Sequence, residues 1–151
     1  IDDIYDGRGI DEARKTADAE EGVTRTVEAM HERPDGLVFT NLVDFDAVYG
    51  HRRDVDGYGA ALARFDARLP ELTNAVGPDD LLLLASDHGN DPTWPGTDHT
   101  REHGLVLAYG LASAGVELGT RGGFSDLGAT VAEALGAPWD GAGASFLSDL
   151  R

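Results

Sequence analysis

The sequence predicts an α/β fold: a mostly parallel sheet flanked by helices, with one antiparallel strand. Three observations carry that expectation. Leu37–Val43 and Leu81–Ala85 are short, nearly continuous apolar runs bounded by turn residues, the pattern of strands covered on both faces. Between them Tyr58, Leu62, Phe65, Leu69, Leu72 and Val76 recur at steps of three and four, which is the period of an amphipathic helix. Strand, helix, strand is the βαβ unit of a parallel sheet, with a right-handed crossover. A third apolar run, Gly104–Gly110, follows a linker of Pro, Gly, Asp and Thr with no helix in it. A parallel crossover needs a dozen or more residues, usually helical, so this strand is expected to run antiparallel to the second.

The remaining elements follow in chain order. Residues 1–10 read as a turn or loop, with Arg8 between two glycines as either part of a connector or a phosphate-facing cation. From Asp11 to Glu32, Ala13, Ala17, Val23, Val27 and Met30 suit an amphipathic helix that Gly22 weakens. His31 complements its C-terminus, and Pro34-Asp35-Gly36 breaks the chain. The central helix is expected from about Asp56 to Ala75, with Pro70 kinking or restarting it. Gly77-Pro78-Asp79-Asp80 is a turn. Residues 111–123 carry no clear signal. Ser125 or Asp126 caps a last helix that runs through Leu135 and stops at Gly136. The tail is expected to dock through Trp139, Phe146 and Leu147.

At 151 residues the chain has the length of one domain. It begins at Ile1 rather than Met, which points to a fragment or a processed product. Its 28 acidic and 12 basic residues leave a net charge of −16, which disfavours nucleic acid and anionic membrane surfaces as partners. A phosphorylated substrate would need local cations to offset that field. No apolar run reaches 18 residues and no leader is evident, so a cytoplasmic location is expected. There is no Cys, which leaves Asp, Glu, His and water as metal donors.

Those donors crowd into one stretch. Asp87-His88 closes the Leu81–Ala85 strand, and a loop holding Asp91, Asp98 and His99 follows. Asp44, Asp46 and His51 lie just past the first strand. The parallel topology brings the two groups to one sheet edge, where open α/β sheets bind ligands. Carboxylates gathered there repel one another, and divalent metal removes the penalty. Zinc or manganese suits such a set, and two ions a few Å apart would serve phosphoryl transfer.

The blocks Asn41-Leu-Val-Asp-Phe-Asp-Ala-Val-Tyr-Gly-His-Arg-Arg-Asp54 and Asp87-His-Gly-Asn-Asp-Pro-Thr-Trp-Pro-Gly-Thr-Asp-His-Thr-Arg-Glu102 resemble the C-terminal signature blocks of bacterial phosphopentomutases, members of the alkaline phosphatase superfamily. The likeness extends along nearly the whole chain, including Ile4-Tyr5-Asp6-Gly7-Arg8-Gly9-Ile10. It implies an isomerase of nucleoside salvage that interconverts ribose 1-phosphate and ribose 5-phosphate, and their deoxyribose counterparts. The family uses two manganese ions and a phosphorylated threonine. Carried over residue by residue, it assigns Asp46, His51 and His99 to one metal and Asp87 and His88 to the other.

Asp44, two residues from Asp46 and so on the same strand face, is kept behind the ligands. Arg101 is a candidate for phosphate or for a site carboxylate, whereas Arg52 and Arg53 read as loop charges. The chain departs from the family at His103-Gly104-Leu105, where an aromatic or imidazole and then a proline are usual. The family's remaining ligand Asp, its nucleophilic threonine and its cap domain belong to segments this chain is expected to lack. Thr40 and Thr97 read only as hydrogen-bonding residues. The alternatives are another member of the superfamily, such as a cofactor-independent phosphoglycerate mutase or a metallophosphatase, and a non-catalytic metal-binding fragment.

Overall fold

A computed structural model describes residues 2–32, 35–111 and 115–151. The chain divides into two compact units, residues 1–75 with 88–103 and residues 76–87 with 104–151.

The first unit is helical. A single turn, α1 (Asp2–Tyr5), precedes Gly7 and Gly9, both at positive φ, and Arg8 is exposed beside Asp6. Helix α2 spans Ala19–Glu32, so the helix expected from Asp11 starts eight residues later. Asp18 sets that start. Its carboxylate accepts the Glu21 amide at 2.8 Å, while the Glu21 carboxylate accepts the amide of Ala17 at 2.9 Å, a close variant of the capping box. Residue 34, which contributes to the expected chain break, lies outside the described residues.

Gly22 does not act as a weak point. It is buried, and a Cβ there would come within 2.5 Å of Leu42 Cδ2, so its absent side chain is what lets residues 37–43 lie against α2. Thr26 and Thr40 share a hydroxyl hydrogen bond of 2.7 Å along the same contact.

Residues 37–43 form no β-ladder, which corrects the expected first strand. Leu37, Phe39 and Val43 are exposed. A strand exists only through ladder bonds to a neighbour, and no described residue supplies them. The parallel part of the predicted sheet is therefore not seen.

Helix α3 (Val55–Ala75) runs through Pro70 without interruption. Pro70 forfeits a bond to the Asp66 carbonyl, but both residues are exposed and water can serve that oxygen. Val23 of α2 packs in the core with Ala61 and Leu72 of α3, all under 9% exposed, whereas Leu62 faces outward. Phe45 adds edge-on contacts to Phe65 and Tyr58 at 6.1 and 6.3 Å. Arg68 ties the two helices together through the Glu20 carbonyl and carboxylate and Thr24, and Glu71 of its own helix steadies it.

The second unit holds β1 (Leu81–Ala85) and β2 (Val106–Gly110), paired antiparallel with Leu81 opposite Gly110 and Ala85 opposite Val106. The antiparallel expectation is thus met. A two-stranded sheet leaves side chains partly open, and Leu107 and Tyr109 are about half exposed. Helix α4 (Ser125–Ala134) packs on the tail, where Phe146, Leu147 and Leu150 are buried while Trp139 stays half exposed.

Two polar groups fix that packing. Thr130, fully buried, donates to the Asp126 carbonyl at 2.7 Å and accepts the Phe146 amide at 3.0 Å. The Asp126 carboxylate accepts the amides of Ala144 and Gly122 at 2.8 and 3.0 Å. These bonds, with a smaller contribution from the Arg121 charge, hold its pKa below the ordinary 3.8. A carboxyl whose pKa falls on folding stabilises the native state above its unfolded pKa and loses that contribution as pH falls through the native value. Asp126→Asn should therefore melt earlier than the parent at neutral pH. Thermal melts between pH 7 and 2 should show the gap shrinking below about pH 3.8; a pH-independent gap would contradict this account.

Candidate metal centre

The first half of the site is a π-helical turn, Phe45–Gly50, closed by the His51 amide donating to the Asp46 carbonyl at 2.9 Å. In an α-helix residues five apart lie about 140° apart around the axis and cannot share a site. The wider π turn hydrogen-bonds residue i to i+5 and brings the pair together. His51 Nε2 lies 3.2 Å from Asp46 Oδ2.

The second half is the loop after β1. Gly89 and Thr100 form an antiparallel bridge, which leaves His88 and His99, the residues before each, diagonally across it. Their imidazoles stack at 3.6 Å with an interplanar angle of 19°. His99 Nε2 lies 3.4 Å from Asp46 Oδ1 and 3.2 Å from His51 Nε2.

The donor set fits a divalent cation. Metal–ligand bonds of about 2.0–2.2 Å place neighbouring donors roughly 3 to 3.5 Å apart, the spacing of these three groups. Tautomers agree, because His51 Nδ1 meets the carbonyl of Thr97 and must donate to it. In the neutral ring Nε2 is then a lone pair facing a carboxylate, an arrangement that a cation, or one shared proton, relieves. His88 Nδ1 similarly donates to the Gly89 carbonyl at 3.2 Å, so Nε2 is the nitrogen that could ligate an ion. Ligand atoms of Asp46, His88 and His99 also fall within 4.8 Å of one another.

The sequence-derived candidates do not all meet here. Asp46, His51, His88 and His99 converge within the first unit. Asp87 is exposed one residue beyond Ser86 and belongs to the second unit. Asp44 shares no strand face with Asp46: it stands in αR conformation at the start of the π turn, and its Oδ2 accepts the Ala19 amide at 2.8 Å, at the first turn of α2. Its charge suits that helix end, so its contact is structural. Arg101 is exposed and makes no ion pair among the described residues. The Asp91 carboxylate is held below its ordinary pKa by the Thr93 hydroxyl and amide.

Two residues that the sequence reading passed over stand out. Asn90 Nδ2 donates to Asp46 Oδ1 at 2.6 Å. Arg53, read as a loop charge, donates to the carbonyls of Gly50, Asp91, Gly96 and Asp98 and to Asn90 Oδ1. Its φ of +55° is uncommon for a residue with a side chain and costs roughly 1–2 kcal/mol. No local pattern marks such a residue, because all its partners but Gly50 lie about forty positions away.

The profile described as "Metalloenzyme superfamily" matches residues 4–138. The chain belongs to the metalloenzyme superfamily. Among curated proteins, a phosphopentomutase of Deinococcus radiodurans is 58% identical over 151 residues, and one of Symbiobacterium thermophilum is 49% identical over 152. Each match takes in 100% of this chain, while the chain spans only 39% of each relative's length. As a metalloenzyme-superfamily member it therefore carries its His and Asp cluster inside a region similar to those enzymes throughout. None of its described helices is long and apolar enough to cross a membrane.

Proposed function

We propose that the chain is the C-terminal part of the metal-binding core of a phosphopentomutase, and that the whole protein interconverts ribose 1-phosphate and ribose 5-phosphate, with their deoxyribose counterparts, in nucleoside salvage. The observation that carries the reading is the meeting of Asp46, His51 and His99 at 3.2–3.4 Å in a chain 58% identical to such an enzyme along its length. Asp46, His51 and His99 would hold one divalent ion, zinc or manganese by the donor chemistry and manganese by the family resemblance. His88 and Asp87 would hold a second. The family resemblance is what supports a separate ion for His88 from that of His99, on whose ring it stacks at 3.6 Å.

When bound, the ions neutralise phosphate oxygens and polarise the nucleophile. The residues of this chain orient that charge: Thr97 sets the His51 tautomer, and Asn90 aims the Asp46 carboxylate. In this reading a phosphothreonine, the last ligand Asp, the cap and the strands that complete a mostly parallel sheet come from outside the 151 residues, in a cytoplasmic enzyme. The chain alone would then bind one ion well and turn nothing over.

The test is the manganese-loaded full-length protein with ribose 1-phosphate. Ribose 5-phosphate should accumulate without stoichiometric inorganic phosphate. Phosphate release instead would identify a metallophosphatase, and no turnover of either kind would overturn the assignment.

A further inference from the structure

We infer that Arg53 and Asn90 form a positioning relay that holds the Asp46 carboxylate in its ligating orientation, an inference that rests on the metal reading above. The amide of Asn90 is pinned at both ends. Its Oδ1 accepts from Arg53 Nη1 at 3.2 Å, and its Nδ2 donates to Asp46 Oδ1 at 2.6 Å. A guanidinium can only donate, so it selects which end of the amide faces it and thereby presents the N–H₂ to the carboxylate. The relay determines both the distance and the polarity of that contact.

Three independent features indicate a built arrangement. First, the space beside Asn90 is reserved: a Cβ on Gly50 would lie 2.1 Å from Asn90 Nδ2. Second, Arg53 keeps a backbone conformation that glycine or asparagine would adopt more readily. Third, its fork also grips peptide carbonyls on both sides of the site, at Gly50 before His51 through Nη1 and at Asp98 before His99 through Nη2. Lysine, a point charge with a flexible stem, cannot span that set. Arg53 therefore acts on the metal only through other groups. Partners of this kind set ligand orientation and typically change metal affinity about 10- to 100-fold.

Mn2+ affinity and the Mn2+ EPR line shape of the full chain test the relay. Arg53→Lys and Asn90→Ala should each weaken Mn2+ binding about 10- to 100-fold and alter the line shape, with the circular dichroism of the metal-free protein unchanged. Arg53→Gly, which suits the backbone at φ +55° but removes the fork, should weaken binding as well. The Arg53→Lys/Asn90→Ala double variant should lose less than the product of the single losses, because one relay is cut twice. Single variants that bind Mn2+ like the parent, or losses that simply multiply, would overturn the inference. His99→Ala separates the two levels. If it abolishes binding while the Arg53 and Asn90 variants bind normally, only the relay falls; if it leaves Mn2+ affinity intact, the metal reading falls and takes the relay with it.

Discussion

Replacing His99 with alanine is expected to lower Mn2+ affinity of the full-length protein by more than about 100-fold, beyond what the loss of an orienting partner causes. Under the proposed function, mutase turnover should drop to the level of the metal-free protein. His99 Nε2 is the point where the halves of the centre meet, 3.4 Å from Asp46 Oδ1 and 3.2 Å from His51 Nε2. Without it the Asp46 carboxylate and the His51 lone pair face an open gap at 33–39% side-chain exposure, where water competes well for a cation. The loss should reach kcat as well as substrate affinity, because bound metal would stabilise the attacking and leaving oxygens of the transfer most in the transition state. Calorimetric titration with Mn2+, together with steady-state assays on ribose 1-phosphate, would check both. A variant that keeps parental affinity would remove His99 from the ligand set.

Gly89→Ala is expected to have the largest structural effect on the site. A Cβ at Gly89 would lie 2.7 Å from the Glu102 amide nitrogen, the Glu102 carbonyl and the Thr100 carbonyl. These are backbone atoms of the facing strand segment, so no rotamer change can make room. The Gly89–Thr100 bridge must open, destabilising the first unit by roughly 1–3 kcal/mol, the usual range for forcing extra volume into a packed place. Opening it should also disturb the stacking of His88 on His99, which lie diagonally across it. Thermal melts and Mn2+ titration together test this. A variant that melts and binds like the parent would show that the bridge is dispensable. Gly96→Ala provides a contrast: nothing lies within 4 Å of its Cβ, and its φ of +94° exacts only a local backbone cost.

The sequence was informative wherever structure depends on neighbours close in the chain. The steps of three and four from Tyr58 to Leu72 marked α3 to within a residue of its start. The proline- and glycine-rich linker without helical spacing implied that β2 returns antiparallel, as it does. Phe146 and Leu147 were picked out as docking residues and are buried. Where a partner had to come from elsewhere, the reading slipped. Leu37–Val43 has a strand's composition but no described ladder partner. Gly22 looked like a weak point because its neighbour Leu42 is twenty positions away. Asp44 was grouped with Asp46 by a strand periodicity that a π turn does not obey.

The centre divides in the same way. The choice of donor residues was legible, because Asp and His in a chain without Cys admit few ligand chemistries and the two blocks carry a family's pattern. Their geometry was not. A five-residue Asp–His spacing becomes a chelating pair only through the π turn. Its orientation depends on Asn90 and Arg53, whose hydrogen bonds join positions about forty residues apart. By itself the sequence determined α3, α4, the antiparallel pair and the metal-binding character of the chain, since these follow from local periodicity and side-chain chemistry. The tertiary structure alone decided how the Asp46 carboxylate meets the histidines and what holds it there, because such contacts exist only after distant segments have packed.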